Sequence, residues 1–306
     1  MLEKKILIIR FSSIGDIVLT TPVSRCLKKQ TASEIHYLTK ASFESLLISN
    51  PNIDKVHTFK KNIKEVIPQL KKEQFDLIID LHKNIRSTQV IRALKLKSIN
   101  FDKINWQKWL MVNLKWNYLP KLHIVDRYLK SLQTLGIQND GAGLDYFIPK
   151  KDEVVISEYG LVEKQYIAIV VGAAHFTKRI LPKTIKELCK QLPQTKIVLL
   201  GGKEEKEIGA EIASAFENRI INFCGKLNLN QSASIIQQSN LIITADTGLM
   251  HIAAALQKKM IVIWGNTIPE FGMYPYFKNG VQSHINVESN GLSCRPCSKI
   301  GFSKCP

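Results

Sequence analysis

At 306 residues, 45% of them hydrophobic and with a mean hydropathy of -0.05, the chain is expected to fold into two globular domains rather than to be disordered or fibrous. No apolar run reaches the roughly 20 residues that cross a bilayer, so a transmembrane helix is not expected. The net charge of +17 divides into +12 over residues 1–150 and +5 over the remainder, which points to an anionic partner for the N-terminal half. Zinc-finger spacings, RNP-like aromatics and basic heptads are missing, so nucleic acid is not expected to be that partner.

The first residues lead into an apolar run too short for a secretory signal, which predicts a cytoplasmic protein. Lys5 to Phe11 reads as a strand buried on both faces of a parallel sheet. Ser12 to Asp16 then forms a loop at that strand's carboxyl end, where open α/β sheets place ligands. Gly15 permits close backbone approach, and Asp16 opens a helix expected from Ile17 to Lys29. Asp16 as an N-terminal cap and the loop as a nucleotide cradle both fit, although GxGxxG and a Walker lysine are missing. Alternation continues with strands Glu34–Thr39, Ile53–Phe59 and Phe75–Leu81 and helices near 41–48 and 63–72. Asp80 to Ser87 is a second polar loop at a strand end, and its Lys83 and Arg86 suit an anion as readily as solvent. Between Lys103 and Lys121, Trp106, Trp109 and Trp116 interleave with lysines. That pattern fits a helix lying in a membrane interface, or one that buries its tryptophans within its own domain. A helix from His123 to Leu135 should end at Gly136.

Glycines and Pro149 within residues 137–152 mark a linker, giving domains 1–150 and 151–306. The second domain alternates again, with strands at Tyr166–Val171, Lys196–Leu200, Arg219–Asn222, Leu241–Ala245 and Met260–Trp264. Its helices are expected near 182–191, 204–215 and 231–238. Gly172 to Arg179 delivers Lys178 and Arg179, suited to a diphosphate, and Gly201 to Glu204 offers a carboxylate to ribose hydroxyls. Leu241 to Leu256 reads as strand, tight turn and helix. Asp246 or Thr247 can cap that helix, Gly248 leaves room above it, and His251 falls in the first turn. The unpaired N–H groups and the helix dipole make such a turn a phosphate site. Cys26, Cys189 and Cys224 read as reduced core thiols. Cys294, Cys297 and Cys305 offer three thiolates but no fourth zinc ligand.

Together, ILIIRFSSIGDIVLTTPV near the start and ADTGLMHIAAAL near the end, with KNIRS and HIVDRYLKSLQTLG between them, resemble glycosyltransferase family 9, the ADP-heptose:lipopolysaccharide heptosyltransferases. The resemblance implies an α/β chain of GT-B architecture, two Rossmann-like domains facing a central cleft. The acceptor would bind on 1–150 and the nucleotide-sugar donor, ADP-heptose, on 151–306. It also implies inversion at the anomeric carbon, no metal in the site, no cofactor, and an anionic glycolipid acceptor reached at the inner face of the inner membrane. By motif, Asp16 matches the base that takes the acceptor's proton, with Ser13, Gly15, Lys83 and Arg86 on the acceptor side. Asp246, Thr247, Gly248, Leu249 and His251 match the donor turn, Lys178 or Arg179 the cation on the diphosphate, Glu204 the ribose carboxylate and Leu227 a neighbour of adenine. The family often reads Lys-Arg-aromatic-Pro, whereas this chain has Lys178-Arg179-Ile180-Leu181-Pro182, one residue longer. Two readings compete: a UDP-sugar 2-epimerase-like enzyme, which needs several carboxylates where this loop has Asp16, and a non-catalytic nucleotide- or lipid-binding protein, which has little use for a base.

Overall fold

The computed structural model describes residues 4–305 apart from Pro193, Glu217 and Asn290. The chain forms two compact units. The first comprises residues up to Lys103, Leu122–Phe147 and Lys278–Gly280; the second comprises Ile104–Lys121, Ile148–Phe277 and Val281–Pro306.

In the first unit β1 (Lys5–Ile9) is followed by α1 (Ile14–Val18) and α2 (Thr21–Gln30), then β2 (Glu34–Lys40), β3 (Lys55–Phe59), α3 (Ile67–Lys72), β4 (Leu77–Asp80), α4 (Ile85–Leu94) and β5 (Ser98–Asn100). The strands run parallel in the order β3-β2-β1-β4-β5. Leu7, Ile8 and Ile9 are fully buried, as a central strand covered on both faces requires. The helix expected from 17 to 29 is two helices. Pro22 stands in the first turn of α2, where its missing N–H costs nothing but where it cannot continue a preceding helix. The helix expected near 41–48 is a 3-10 turn, Ala41–Leu46. Neither α4 nor β5 was expected. In α4 Asn84 accepts from the Ser87 backbone N–H while the Ser87 hydroxyl accepts from that of Asn84, a reciprocal cap without the usual acidic partner. After α6 (Ile124–Lys130) a 3-10 turn closes at Gly136, whose φ of 78° is the left-handed conformation expected of a cap. The following segment stays with this unit because Arg25 on α2 holds it. The guanidinium bonds Asp140 at 2.8 Å and the Gly143 carbonyl at 2.7 Å, and also pairs with Asp145.

The second unit contains β6 (Tyr166–Val170), α7 (Pro182–Gln191), β7 (Lys196–Leu200), α8 (Lys206–Ser214), β8 (Ile220–Asn222), α9 (Leu229–Gln238), β9 (Leu241–Ala245), α10 (Gly248–Ala255), β10 (Met260–Trp264) and β11 (His284–Glu288). The sheet is parallel, in the order β11-β10-β9-β6-β7-β8. Ile167, Ile169, Ile197, Leu199 and Ile243 build its core with Ile185, Cys189 and Ile212 from the helices. The edge strand β11 was not expected, because His-Ile-Asn-Val-Glu is half polar and largely exposed. It is pinned by the Trp264 indole N–H, which donates to Asn286 at 2.9 Å.

The tryptophan-rich segment groups with this second unit. Its helix α5 (Asn105–Leu114) ends at Lys115, whose φ is 60°. The Lys115 ammonium donates to the carbonyls of Cys294 and Pro296 at 2.9 and 2.8 Å, and that of Lys108 lies over the Phe271 ring. Among the described residues no helix is long and apolar enough to cross a membrane.

Candidate active site

In each sheet the strand order reverses at one position, beside β1 between β2 and β4, and beside β6 between β7 and β9. Loops diverge there and leave a crevice at the carboxyl ends, the usual ligand position of open α/β sheets. The loops after β1 and β4 and those after β6 and β9 lie at those reversals, whereas the loop at 201–204 follows β7, one strand away.

In the first unit Asp16 is in the first turn of α1, with its side chain 20% exposed. One carboxylate oxygen meets Arg10 Nη2 at 2.5 Å. The other accepts from the Ser13 backbone N–H at 3.1 Å and the Ser13 hydroxyl at 2.8 Å. Asp16 therefore does close the helix start, as a capping residue would, and is at the same time paired with a buried cation. Burial alone would raise its carboxyl; the Arg10 guanidinium and the two Ser13 donors outweigh that and hold it below the ordinary value of 3.8. Arg10 is itself spent on fixed partners. It donates to the Ser12 carbonyl at 2.9 Å, the Leu81 carbonyl at 2.5 Å and the Tyr128 hydroxyl at 3.3 Å. The Leu81 bond ties the loop after β1 to the loop after β4. In that second loop Asp80 is buried and accepts from the backbone of His82 and Lys83 and from the Ser87 hydroxyl, at 3.0, 2.7 and 2.6 Å. Lys83 and Arg86 stand exposed on the turn so organised, and Lys83 donates to the Phe101 carbonyl at 3.0 Å.

In the second unit the loop after β6 and the turn after β9 are joined by an ion pair. Lys178 Nζ meets Asp246 Oδ2 at 2.6 Å, and the Thr267 hydroxyl donates to the same oxygen at 2.9 Å. Asp246 is therefore not the helix cap. Thr247 is: its hydroxyl accepts from the Met250 backbone N–H at 3.3 Å. Gly248 and Leu249 open α10 half-exposed. His251, 2% exposed, is buried within the first turn rather than standing at its surface.

The two neighbouring cations separate. Lys178 reaches Asp246, whereas Arg179 turns back on its own loop, donating to the Ala173 carbonyl at 3.1 Å and lying 3.8 and 3.6 Å from Glu204 and Glu205. The loop is seated closely, for a Cβ at Gly265 would collide with the Thr177 carbonyl. After β7, the Glu204 side chain is 86% exposed. Glu205 is buried and accepts from the Gly202 N–H at 2.9 Å. Leu227 is half-buried in the bend before α9.

Three residues of these loops were passed over in the sequence: Arg10, Thr267 and Glu205. Arg10 left a signal, since an arginine ending a strand of buried isoleucines must be paired. Thr267 left none, because only the fold brings it to Asp246.

Comparison with known proteins bears on this arrangement. The description "Glycosyltransferase family 9 (heptosyltransferase)" matches residues 63–302. The chain is 29% identical over 312 aligned residues to lipopolysaccharide heptosyltransferase 1 of Campylobacter coli, covering 92% of this chain and 88% of that one. Among solved structures it is similar to the glycosyl transferase family 9 protein of Veillonella parvula, with a TM-score of 0.80 and 22% identity over 94% of this chain and 86% of that one. It is also similar to E. coli heptosyltransferase WaaC solved with ADP, with a TM-score of 0.71 and 18% identity over 94% of each chain. Two Rossmann-like units of this kind are the GT-B architecture, and the chain belongs to glycosyltransferase family 9, the heptosyltransferases.

Proposed function

We propose that this glycosyltransferase moves a heptose from ADP-heptose to a lipopolysaccharide core or similar anionic glycolipid, inverting the anomeric carbon without a metal in the site. The observation that carries the reading is the Lys178–Asp246 pair beside the start of α10. Asp246 holds an ammonium beside the first turn of α10, so a cation and a helix dipole favour the same negative charge. That combination fits a nucleotide diphosphate, the leaving group of the reaction. Its support comes from the family, from the Campylobacter coli relative and from the WaaC structure with ADP.

The chemistry follows from the charges. The acceptor hydroxyl attacks C1 of the sugar as the bond from C1 to the diphosphate oxygen breaks. The electron pair of that bond leaves with the diphosphate, where Lys178 and the α10 N–H groups stabilise it. The hydroxyl proton passes to Asp16. A carboxylate weakened by Arg10 suffices, because the attacking oxygen becomes strongly acidic once its bond to carbon forms. What the site requires of Asp16 is that it be ionised and aimed, and Arg10 with Ser13 supply both. Lys83 and Arg86 offer cationic contacts to an anionic acceptor. A UDP-sugar 2-epimerase-like reaction, which needs several carboxylates, is less well served, since the nearby Asp80 is buried and taken up by its own loop and by Ser87.

We also propose peripheral binding at the cytoplasmic face of the inner membrane. Trp106 and Trp109 are 67% and 49% exposed and stacked, with ring centroids 5.3 Å apart and 7° between planes. Trp116, Tyr118 and Leu114 extend the exposed apolar surface, and lysines flank it. Aromatic rings with adjacent cations suit an anionic lipid interface.

Thermal unfolding with nucleotides tests the donor reading. ADP is expected to raise the melting temperature with the logarithm of its concentration, UDP much less, and Lys178→Ala should lose most of the effect while Arg179→Ala keeps it. Equal protection by UDP would refute the adenine specificity, and unchanged protection in Lys178→Ala would refute the phosphate role. For the base, Asp16→Asn should lower turnover by about 10²–10⁴-fold with ADP protection intact. Because Arg10 and Ser13 hold the Asp16 carboxyl below its ordinary value, the acid limb that this group gives wild-type turnover should lie at lower pH than that of an unperturbed aspartate. Near wild-type turnover of the asparagine variant would remove Asp16 from the mechanism. For the membrane, sedimentation with phosphatidylglycerol vesicles should show binding that weakens with salt and falls in the folded Trp106→Ser, Trp109→Ser double variant. Binding that is absent at low salt, or the same in that variant, would exclude this surface.

A further inference from the structure

The amino-terminal edge of the first sheet, opposite the loops that carry Asp16, holds two buried histidines that the transfer reaction does not use. His36 is the third residue of β2 and His57 the third of β3. His36 is fully buried and His57 1% exposed. Their rings lie nearly parallel, 5.0 Å apart with 28° between planes, and the Phe75 ring packs edge-on against both. His36 Nδ1 and His57 Nε2 face each other at 2.8 Å. Glu73, which follows α3, brings Oε2 to 4.0 Å from His36 Nδ1. One ligand atom from each of His36, His57 and Glu73 lies within 4.8 Å of the others.

We propose that His36, His57 and Glu73 form a binding site for a divalent transition metal of the zinc class, distinct from the glycosyl-transfer site. Two imidazole nitrogens and one carboxylate oxygen are the donor set of many zinc sites, with water as a fourth ligand. Zinc–nitrogen bonds of about 2.0–2.1 Å in a tetrahedron set the two nitrogens about 3.3 Å apart. The rings would open by about half an ångström and Glu73 would close by a similar amount, within the reach of side-chain torsions.

The surroundings also suit a metal. The other nitrogen of His36 lies 2.6 Å from Glu34 Oε1, the carboxylate–histidine arrangement that orients a metal-binding imidazole and fixes its tautomer. With His36 Nε2–H donating to Glu34, Nδ1 presents its lone pair inward. The proton now shared between the rings is carried by His57 Nε2. On metal binding it moves to His57 Nδ1, a buried atom with no hydrogen-bond partner among the described residues, so both facing nitrogens coordinate without net proton release. Glu73 keeps one oxygen on Lys55, at 2.5 Å. The other is held only loosely by Lys5, at 3.6 Å, and is the oxygen the metal would take. An open basin of about 670 Å³, lined by Lys5, Lys28, Glu34, Glu73 and Asp76 among others, leads to Glu73 from solvent. A metal there would cross-link β2, β3 and the turn after α3.

The test uses the full chain carrying Cys294→Ser, Cys297→Ser and Cys305→Ser, so that thiolates contribute nothing, after chelator treatment and dialysis. Zinc chloride should bind at one equivalent by calorimetry and raise the melting temperature with the logarithm of its concentration. Cobalt(II) should give the visible bands of a four-coordinate nitrogen–oxygen site without a thiolate charge-transfer band. Glu73→Gln, on a partly exposed turn, should weaken zinc binding at least about tenfold, and His57→Phe should abolish it. Lys28→Gln, which lines the same basin but offers no ligand, should bind as the parent does. No zinc-dependent stabilisation of the parent, or the same stabilisation in Glu73→Gln, would overturn the proposal. Because the quantity read is the zinc-dependent increment, a lower starting stability in either variant does not obscure it.

Discussion

A parallel sheet whose strand order reverses beside its first strand has to send neighbouring loops in opposite directions, and in both units of this chain the polar chemistry gathers where that happens. In the first unit the reversal between β1 and β4 puts the Ser13–Asp16 turn beside the loop that begins at Leu81, and Arg10 ties them together. In the second, the reversal between β6 and β9 puts the basic loop beside the turn that opens α10, and the Lys178–Asp246 pair ties those. The strands beneath are buried on both faces, so their positions leave little freedom to the loops above.

The two ties use the same device with opposite purpose. Each pairs an aspartate with a cation in a half-sheltered setting, where either charge alone would be costly. In the first, Arg10 is taken up by backbone carbonyls, and Asp16 is the group to which we assign the chemistry. In the second, Asp246 is taken up by Lys178 and Thr267, and the ammonium beside the helix terminus is the group to which we assign the phosphate. Proton acceptance by an anion and stabilisation of a leaving diphosphate by a cation are the two demands that the proposed transfer makes on these ties.

Much of this was legible in the sequence because doubly buried strands leave continuous apolar runs. β1, β6, β7, β9 and β10 announce themselves as such, and the polar residues after each run mark a loop at a carboxyl end. The edge strands β5 and β11 are short and half polar, and lack that signal because one side needs no neighbour. Pro22 marks the break between α1 and α2, and the cap of α4, built from Asn84 and Ser87, lacks the acidic residue that usually announces a helix start. Side-chain pairing across loops was the least legible. Nothing local distinguishes Asp246 from Thr247 as the cap, or Lys178 from Arg179 as the cation that reaches it. Those choices depend on Thr267 and on a loop pressed against Gly265, both far away in sequence. The tryptophan segment carries a similar lesson. It lies among the basic residues of the N-terminal half, yet it packs with the second unit, because contacts to Phe271 and to the carbonyls near Cys297 decide its place.

The central claim is that Asp16 deprotonates an acceptor hydroxyl which displaces the diphosphate directly from the sugar. The anomeric configuration of the product tests it most directly. Nuclear magnetic resonance of the glycolipid formed from ADP-heptose of defined configuration should show the transferred heptose with inverted stereochemistry at C1 and no covalent sugar–enzyme species by mass spectrometry. A product that keeps the donor's configuration, or a sugar trapped on the protein, would contradict the account.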